Sequence, residues 1–398
     1  MNPVIYWIWL QQALGYGSEK LRDVIDIFGS AEGFYKLTRE EDKTYGSFSF
    51  SEMERIKLTG LDSAAIILDE CTRLGYTVIS YENNEYPYRL RMIQNPPAVL
   101  YVWGELPPVD SLLTLAMVGT RTATHHGYKV ATLLSQRLSS AGAVIVSGCA
   151  QGIDTAAHQG CIEAGGRTIA VLGCGINHRY NMSNADLRRV ISQRGAVISE
   201  YPPSAPALKH TFPQRNRIIS GLSLGVIVAE AGVKSGSLIT ARLAAEQGRD
   251  LYAVPGNADS QYMFGVNALI RDGAAPVICA LDILSNYVVE YAEQLNLKGA
   301  EVPLFAQAPA IQPPEVKQRS APQTPPQAKE SLKPSPPQHL SATAKQLYSV
   351  MEAEPVHIDE LAERAGLEAP AALCALTELE INGSISAIAG RRYAIKNL

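Results

Sequence analysis

Short apolar segments followed by stretches with helical features recur through the middle of this chain. Between residues 115 and 256 they read LAMVG, AVIVSG, TIAVLG, AVISE, LGVIVAE and LYAVPG. Apolar strands that alternate with helices form a mostly parallel sheet with helices on both faces. We therefore predict an α/β fold built on a doubly wound sheet.

The residues that follow these strands share an unusual composition. In a doubly wound sheet the ligand binds beyond the carboxyl ends of the strands. Acidic residues are absent from 111–153, 164–185, 201–229 and 231–245, although the whole chain has a net charge of −4. Small residues there allow backbone N–H groups to approach a phosphate, and basic residues add positive charge. The predicted anion-binding residues are Gly119, Thr120, Arg121, Ser147, Gly148, Arg179, Lys209, Arg215, Arg217, Lys234, Ser235 and Gly236.

The segment 209–223, KHTFPQRNRIISGLS, adds an aromatic residue to this positive charge. Phe212 offers a flat face on which a base can stack, and Asn216 lies between the two arginines of the segment. A nucleic acid satisfies both features. The alternative is that Phe212 and Pro213 only fill a loop and that the acid-free window arose by chance.

Two enzyme patterns are incomplete. VLGCGIN lacks the third glycine of a dinucleotide-binding loop. Ser147, Asp154, His158 and Ser237 suggest a hydrolase, but no GxSxG motif is present, and we expect Asp154 to cap a helix and His158 to bond locally. The six cysteines are scattered without zinc-ligand spacing. We predict no catalytic residue, no metal and no cofactor.

Changes in composition divide the chain into four parts: 1–61, 62–300, 301–340 and 341–398. The first is predicted to be helical, with helices starting at Ser18 and Ser30 and capping-box spacing at Thr38 with Glu41 and at Ser51 with Glu54. Its LGYG turn, 14–17, is typical of SAM/helix-hairpin-helix-like domains, in which a DNA contact is one possibility and a plain tight turn the other. A helix capped by Asp62 and ended by Gly75 then leads to the strand TVISY.

These motifs together resemble the DNA-processing protein A family, also called Smf or DprA. The resemblance covers about residues 80 to 280 and rests on YPYRL, NPPAVLYVWG, MVGTR, SGCAQGIDTAAH, FPQRNRIISGLS, VAEAGVKSGSLITA and NALIRDGA, among others. Asn95 departs from the Asp that the family often has before its Pro-Pro pair, which puts only a local turn in doubt.

The resemblance implies an extended Rossmann-like domain that binds single-stranded DNA, forms a homodimer and loads RecA recombinase during natural transformation. A single-strand-binding protein is a further possible partner. The family's DNA site falls on Arg121, on the Ser147–Gly148 turn and on Lys209, Phe212, Arg215, Asn216 and Arg217, with Lys234, Ser235 and Gly236 as weaker candidates.

The last two parts differ sharply from each other. Ten prolines between Pro303 and Pro337 predict an extended linker. Three helical patterns and a hairpin, 384–395, then predict a winged helix, which many members of the family also carry. Its third helix, 371–381, contains no Lys or Arg, so we favour protein docking or regulation over DNA reading, although Arg391 and Arg392 could touch DNA.

Two other functions remain open at this stage. An enzyme acting on a nucleotide or a phosphorylated sugar would use the same sheet edge and would need a carboxylate, for which Glu200 and Glu230 are the strand-end candidates. A protein-interaction adaptor would bind no DNA. The apolar run at 4–10 is too short to span a bilayer, so we expect a cytoplasmic protein with no membrane association.

Overall fold

The computed structural model describes residues 2–40, 48–304, 340–351, 356–388 and 392–395. The chain divides into two compact units, Met1–Pro314 and Glu315–Leu398. In the described part of the chain, no helix is both long and apolar enough to cross a membrane.

The first unit contains thirteen described α-helices and nine described strands. The helices are α1 (Val4–Leu14), α2 (Leu21–Phe28), α3 (Ala31–Glu40), α4 (Phe50–Leu58), α5 (Leu61–Leu74), α6 (Tyr88–Arg91), α7 (His125–Ser140), α8 (Ile153–Glu163), α9 (Ala185–Arg194), α10 (Thr211–Gly221), α11 (Ser237–Glu246), α12 (Phe264–Arg271) and α13 (Leu281–Leu284). The strands are β1 (Thr77–Ser80), β2 (Val99–Gly104), β3 (Thr114–Val118), β4 (Val144–Ser147), β5 (Thr168–Leu172), β6 (Ala196–Ser199), β7 (Gly225–Val228), β8 (Asp250–Ala253) and β9 (Ala275–Pro276).

These strands form one sheet in the order β1-β2-β6-β5-β4-β3-β7-β8-β9. From β6 to β9 all neighbours are parallel, whereas β2 pairs antiparallel with both β1 and β6. The chain adds strands to one side of β3 and then returns to its other side with β7. The prediction of a doubly wound, mostly parallel sheet is confirmed, and its switch point lies between β3 and β7.

Residues of β3 alternate between two hydrophobic cores. Ala116 and Val118 pack with residues of α10, α11 and α12, while Leu115 and Met117 pack with α7 and α8 on the opposite face. Burial on both faces explains why the strands are apolar throughout. Helices therefore cover both sides of the switch point and direct several of their amino termini toward it.

The amino-terminal helices share a third core with the sheet. Trp9 and Phe34 belong to the same buried cluster as Tyr101, Ala170 and Val197 of the strands. The turn between α1 and α2 also contacts the loop before β2, because the side-chain amide of Asn95 donates to the carbonyl of Gly17 at 3.3 Å. The domain boundary near residue 62 stays a prediction.

Helix starts in this region differ from the predicted ones in detail. Ser49 and Glu52 form the capping box of α4, two residues before the predicted pair. Thr38 lies inside α3 and donates to the carbonyl of Tyr35, and its predicted partner Glu41 lies outside the described residues. Asp62 lies in the first turn of α5 rather than at its cap. Several Ser, Thr and Glu residues lie within a few positions of each helix start. Any of them could cap the helix, and packing decides which residue does so.

The second unit consists of α14 (Ala342–Val350), α15 (Ile358–Ala365) and α16 (Ala369–Ile381) with the strands β10 (Val356–His357), β11 (Ile385–Ile388) and β12 (Arg392–Ile395). β12 pairs antiparallel with both β11 and β10. The predicted winged helix is confirmed. The predicted linker falls mostly on 305–339, and both this stretch and Arg391 lie outside the described residues.

Candidate nucleic-acid interface

A cavity of about 660 Å³ opens at the carboxyl ends of the strands β3 to β7, on the switch point of the sheet. Its walls come from the loops after these strands and from the first turns of α8, α10 and α11. The lining residues are Val118, Gly119, Thr120, Arg121, Ala150, Asp154, Tyr180, Ala207, Leu208, Lys209, Phe212, Pro213, Arg215, Asn216, Ile219, Ser235, Gly236, Ser237, Ile239 and Thr240. The five strand-to-helix loops predicted to meet at one edge, those after β3, β4, β5, β6 and β7, all contribute to this cavity.

The rim of the cavity carries exposed cations. Arg121 follows β3 and Lys209 precedes α10, and both side chains are exposed to solvent. Gly236 precedes α11, and in the first turn of this helix the N–H groups of Leu238 and Ile239 donate to the carbonyls of Ser235 and Gly236 at 3.1 and 3.2 Å. Charged side chains and a helix amino terminus therefore face the same opening, which favours an anion there.

The ring of Phe212 contacts the side chains of Arg121 and Tyr180. The guanidinium carbon of Arg121 lies 5.0 Å from the centre of its ring, and the ring of Tyr180 lies 4.9 Å away at an interplanar angle of 45°. A Cβ at Gly173 would lie 2.9 Å from the Phe212 ring, so only glycine fits beneath it. Phe212 is thus held in place, and a stacking base would have to share its faces with Arg121 and Tyr180.

The floor of the cavity is buried and polar. Arg215 and Asp154 are 4% and 7% exposed, and the buried residues Ser237 and Thr240 belong to the same lining. Arg215 donates to the carbonyl of Gly148 at 2.7 Å and also to that of Val171. One carboxylate oxygen of Asp154 accepts from the N–H of Ala150 at 3.2 Å.

Burial changes the charge balance of this floor. It raises the pKa of Asp154, an effect opposed mainly by the guanidinium of Arg215, and it lowers the pKa of Arg215. A Cβ at Gly148 would lie 2.5 Å from an Arg215 nitrogen and 2.6 Å from an Asp154 oxygen. Glycine at this position therefore lets a buried cation and a buried carboxyl group approach the same loop.

Nine of the predicted residues line the cavity, and they include the core of the segment 209–223. They are Gly119, Thr120, Arg121, Lys209, Phe212, Arg215, Asn216, Ser235 and Gly236. The amide of Thr120, however, already donates to the carbonyl of Glu230 at 2.8 Å, and that of Ser235 donates to the carbonyl of Gly232 at 3.0 Å. These two loop amides are not available to a phosphate.

Five predicted residues lie outside the lining. Ser147 is buried and donates to the carbonyl of Met117, and Gly148 contributes its carbonyl to Arg215. Arg179 and Lys234 are exposed next to lining residues. Arg217 differs most from the prediction, because it forms a buried ion pair with Glu200, with Nη2 to Oε2 at 2.7 Å, and so supports the fold.

The two strand-end carboxylates turn away from the cavity. Glu200 is occupied by Arg217, and Glu230 accepts from the N–H and the hydroxyl of Thr124 at the start of α7. Neither one lines the cavity. They hold an ion pair and a helix start instead, which leaves Asp154 as the acid among the lining residues.

The hydrolase pattern is not assembled. The hydroxyl of Ser147 is committed to Met117, and His158 pairs through Nδ1 with the hydroxyl of Thr168 at 2.7 Å. Burial lowers the pKa of His158 to about 3, as the local role predicted for it requires. Asp154, predicted as a cap, lies instead in the first turn of α8, and Gly152 precedes the helix.

Sequence reasoning missed Tyr180 and the two asparagines after it. Asn181 and Asn184 both donate to the carbonyl of Cys149 at 3.1 Å, and Asn184 also donates to Thr155. Cys149 has a φ of 54°, a backbone conformation that L residues rarely adopt. The loop that carries Ala150 and Asp154 is thereby clamped. An aromatic residue directly after Arg179 was the available signal, whereas the clamp exists only in three dimensions.

The fold and the site together define a class: a doubly wound α/β protein with a cation-rimmed cavity at the switch point of its sheet. The family model described as DNA recombination-mediator protein A matches residues 77–288, and the DprA winged helix domain matches 331–391. The chain belongs to the DNA recombination-mediator protein A family, also known as DprA or Smf.

Its relatives agree with this assignment. Protein Smf of Synechocystis is 33% identical over 395 residues, 98% of each chain, and the DNA processing protein DprA of Bacillus subtilis is 42% identical over 55% of this chain and 75% of its own. The solved structure of DNA processing protein A from Streptococcus pneumoniae superposes with a TM-score of 0.61 at 33% identity, covering 72% of this chain and 97% of that one.

Proposed function

We propose that this protein binds single-stranded DNA in the cavity at the switch point and delivers the strand to RecA recombinase. The observation that carries the proposal is the arrangement of Arg121, Lys209 and Phe212 around one opening, with the acids Glu200 and Glu230 withdrawn from it. Cations that neutralise phosphates and an aromatic platform are the two elements of sequence-tolerant binding to single strands.

Each element has a distinct task. Arg121 and Lys209 neutralise phosphates at the rim, aided by the amino terminus of α11. Phe212 and Tyr180 provide aromatic surface for a base. Arg215, fixed by two carbonyl acceptors, keeps the cavity floor in shape and contributes positive potential from below.

The wider role follows from the family. We propose that the protein acts in natural transformation and recombination, works as a homodimer through the Rossmann-like unit, and meets RecA and a single-strand-binding protein on the same DNA. The relatives named DNA processing protein DprA support a role in DNA processing.

A titration of the purified full chain against labelled single-stranded and double-stranded oligonucleotides tests the proposal. We expect much tighter binding of the single strand, a steep decrease in affinity with salt, and faster RecA filament formation on the bound strand. Equal binding of both forms would contradict a single-strand site, and unchanged RecA assembly would contradict the delivery role.

The same preparation tests the alternative that the cavity belongs to a nucleotide or phospho-sugar enzyme. Such an enzyme would need Asp154 as its acid or base, because Glu200 and Glu230 are occupied. We expect no product from nucleoside phosphates or sugar phosphates. If the parent forms product and Asp154→Asn does not, the cavity is a catalytic site and the binding-only proposal is wrong.

A further inference from the structure

The floor of the cavity carries a carboxyl group that phosphate binding does not explain. Asp154 is 7% exposed and lines the cavity, whereas the cations Arg121 and Lys209 are exposed at the rim. One of its oxygens accepts a backbone N–H from Ala150, which fixes the side chain. A cavity meant only for phosphates would gain nothing from an acid at its deepest part.

This distribution of charge orients a bound nucleotide. A phosphate at the floor would meet Asp154 in a poorly solvated space, where like charges repel strongly. The charge of Arg215 opposes this repulsion, but its Nη1 already donates to the carbonyls of Gly148 and Val171 and is not free to hold a phosphate oxygen. The phosphate therefore belongs at the rim, and the uncharged base points toward the floor.

The chemistry of a carboxylate then selects among the bases. Burial raises the pKa of Asp154, and the guanidinium of Arg215 favours its ionised form. In that form the carboxylate only accepts hydrogen bonds, and its two oxygens, one of which also accepts from Ala150, match two adjacent N–H donors. Guanine presents such a pair, N1–H and the N2 amino group, on its Watson–Crick edge. Adenine and cytosine present one amino group beside an acceptor nitrogen, and thymine presents one N–H between two carbonyl oxygens that the carboxylate would repel.

Other floor groups complete the match. Thr240 and Ser237 belong to the same lining, and a hydroxyl can donate to the O6 atom of guanine. The Ser237 hydroxyl also forms a hydrogen bond of 2.8 Å with that of Ser235. We propose that Asp154 is a specificity-determining residue that makes this cavity prefer a guanine nucleotide of the single strand. The inference rests on the proposed binding of single-stranded DNA and adds a base preference to it.

The first test changes only the DNA. Three short oligonucleotides of equal length are titrated with the unmodified full chain: all thymine, thymine with one central guanine, and thymine with one central hypoxanthine, which lacks the N2 amino group. We expect guanine to bind about tenfold more tightly than thymine, as for a good bidentate contact, with hypoxanthine in between. Equal affinity for guanine and thymine, or for guanine and hypoxanthine, would overturn the proposal.

The second test changes the floor. Asp154→Asn replaces one acceptor oxygen by a donor, and its readout is the ratio of guanine to thymine affinity, which we expect to fall to about one. Asp186→Asn is the matched control, since Asp186 is exposed on α9 and outside the cavity, and its ratio should equal that of the parent. A ratio that survives in Asp154→Asn would overturn the assignment.

The oligonucleotide titrations distinguish a failure of the guanine preference from a failure of the proposed single-strand binding. If the parent chain binds none of the oligonucleotides, the proposed function fails; if it binds all of them alike, only the base preference fails. Competition with dGMP identifies the source of the guanine. We expect dGMP to displace the strand only at concentrations far above those of the guanine oligonucleotide, because it lacks the neighbouring phosphates. Equal competition would overturn recognition of a strand.

Discussion

Two helices of this protein occupy positions where a DNA-binding role would be expected, and they differ in what they expose. The start of α10 places Lys209, Phe212 and Asn216 on a cavity next to Arg121. The third helix of the winged helix, α16, instead exposes Leu373, Thr377, Glu380 and Ile381. The first surface suits a phosphate backbone, and the second suits an apolar protein surface.

The two helices are distinguished by the charges that they expose and not by the folds to which they belong. A winged helix usually reads DNA through its third helix, yet α16 has no basic residue, and its Glu378 accepts hydrogen bonds from Ser341 at the start of α14. Function has to be assigned from the site and not from the fold around it. The predictions below test each side of this contrast.

The largest expected effect concerns the stability of the α10 side. Arg217→Met removes one partner of a buried ion pair and leaves Glu200, which is fully buried, without its cation. We expect a loss of about 3–5 kcal/mol in the free energy of unfolding, measured by urea denaturation. Arg189→Met, which breaks an exposed pair with Asp186, should cost less than about 1 kcal/mol. A small effect of Arg217→Met would mean that this arginine is free to contact DNA.

Phe212→Ala should have the next largest effect, on DNA affinity. Loss of a stacking platform costs roughly 1 to 3 kcal/mol, so oligo-dT binding should weaken about ten- to hundredfold in a mobility-shift titration. Phe50→Ala is the control, because Phe50 is exposed on α4 and does not line the cavity. If Phe212→Ala binds like the parent, Phe212 serves only to hold Arg121 and Tyr180 in place.

Removal of a rim cation should change the salt dependence as well as the affinity. For single strands, each phosphate contact contributes about 0.7 to the slope of log affinity against log salt, so Arg121→Ala and Lys209→Ala should each reduce the slope by about that amount. Arg242→Ala, an exposed arginine of α11 paired with Glu246, should leave the slope unchanged. If the slope is unchanged in both rim variants, the phosphates bind somewhere other than at Arg121 and Lys209.

A smaller effect is expected from pH. Burial lowers the pKa of His158 to about 3, whereas an unfolded histidine titrates near 6.5. Below pH 6.5 the unfolded state therefore binds a proton that the folded state does not, and stability falls with falling pH. Between pH 6.5 and 5.5 His158 should account for a loss of about 1 kcal/mol. His158→Gln should remove this part of the pH dependence, and an unaltered dependence would assign it to other groups.

Most of the sheet and much of the cavity could be predicted, for identifiable reasons. Strands buried on both faces read as continuous apolar runs, and parallel strands bring their carboxyl ends to one edge, so Arg121, Lys209 and Ser235 could be placed together before any geometry was known. Arg215 and Arg217 could not be separated in this way. They lie two residues apart on α10, and only packing shows that one faces the cavity and the other faces Glu200.

The supporting groups were harder to find because they act across long sequence distances. Asn181 and Asn184 hold the carbonyl of Cys149 from more than 30 residues away, and no local pattern marks them. The sequence predicts Asp154 only as a helix cap, because its place on the cavity floor depends on the path of the loop before α8.

The smallest expected effect is on the winged-helix side of the contrast. Leu373→Ala should leave oligo-dT affinity within about twofold of the parent, because α16 has no cation to offer a phosphate. Arg392→Ala in β12 should do the same, because the proposed DNA site lies in the first unit. The stability of both variants should be measured alongside, since an altered fold would confuse the result. A clear loss of affinity in Arg392→Ala alone would show that the wing, rather than α16, contacts DNA. A loss in Leu373→Ala would show that the apolar face takes part in binding and would remove the distinction between the two helices.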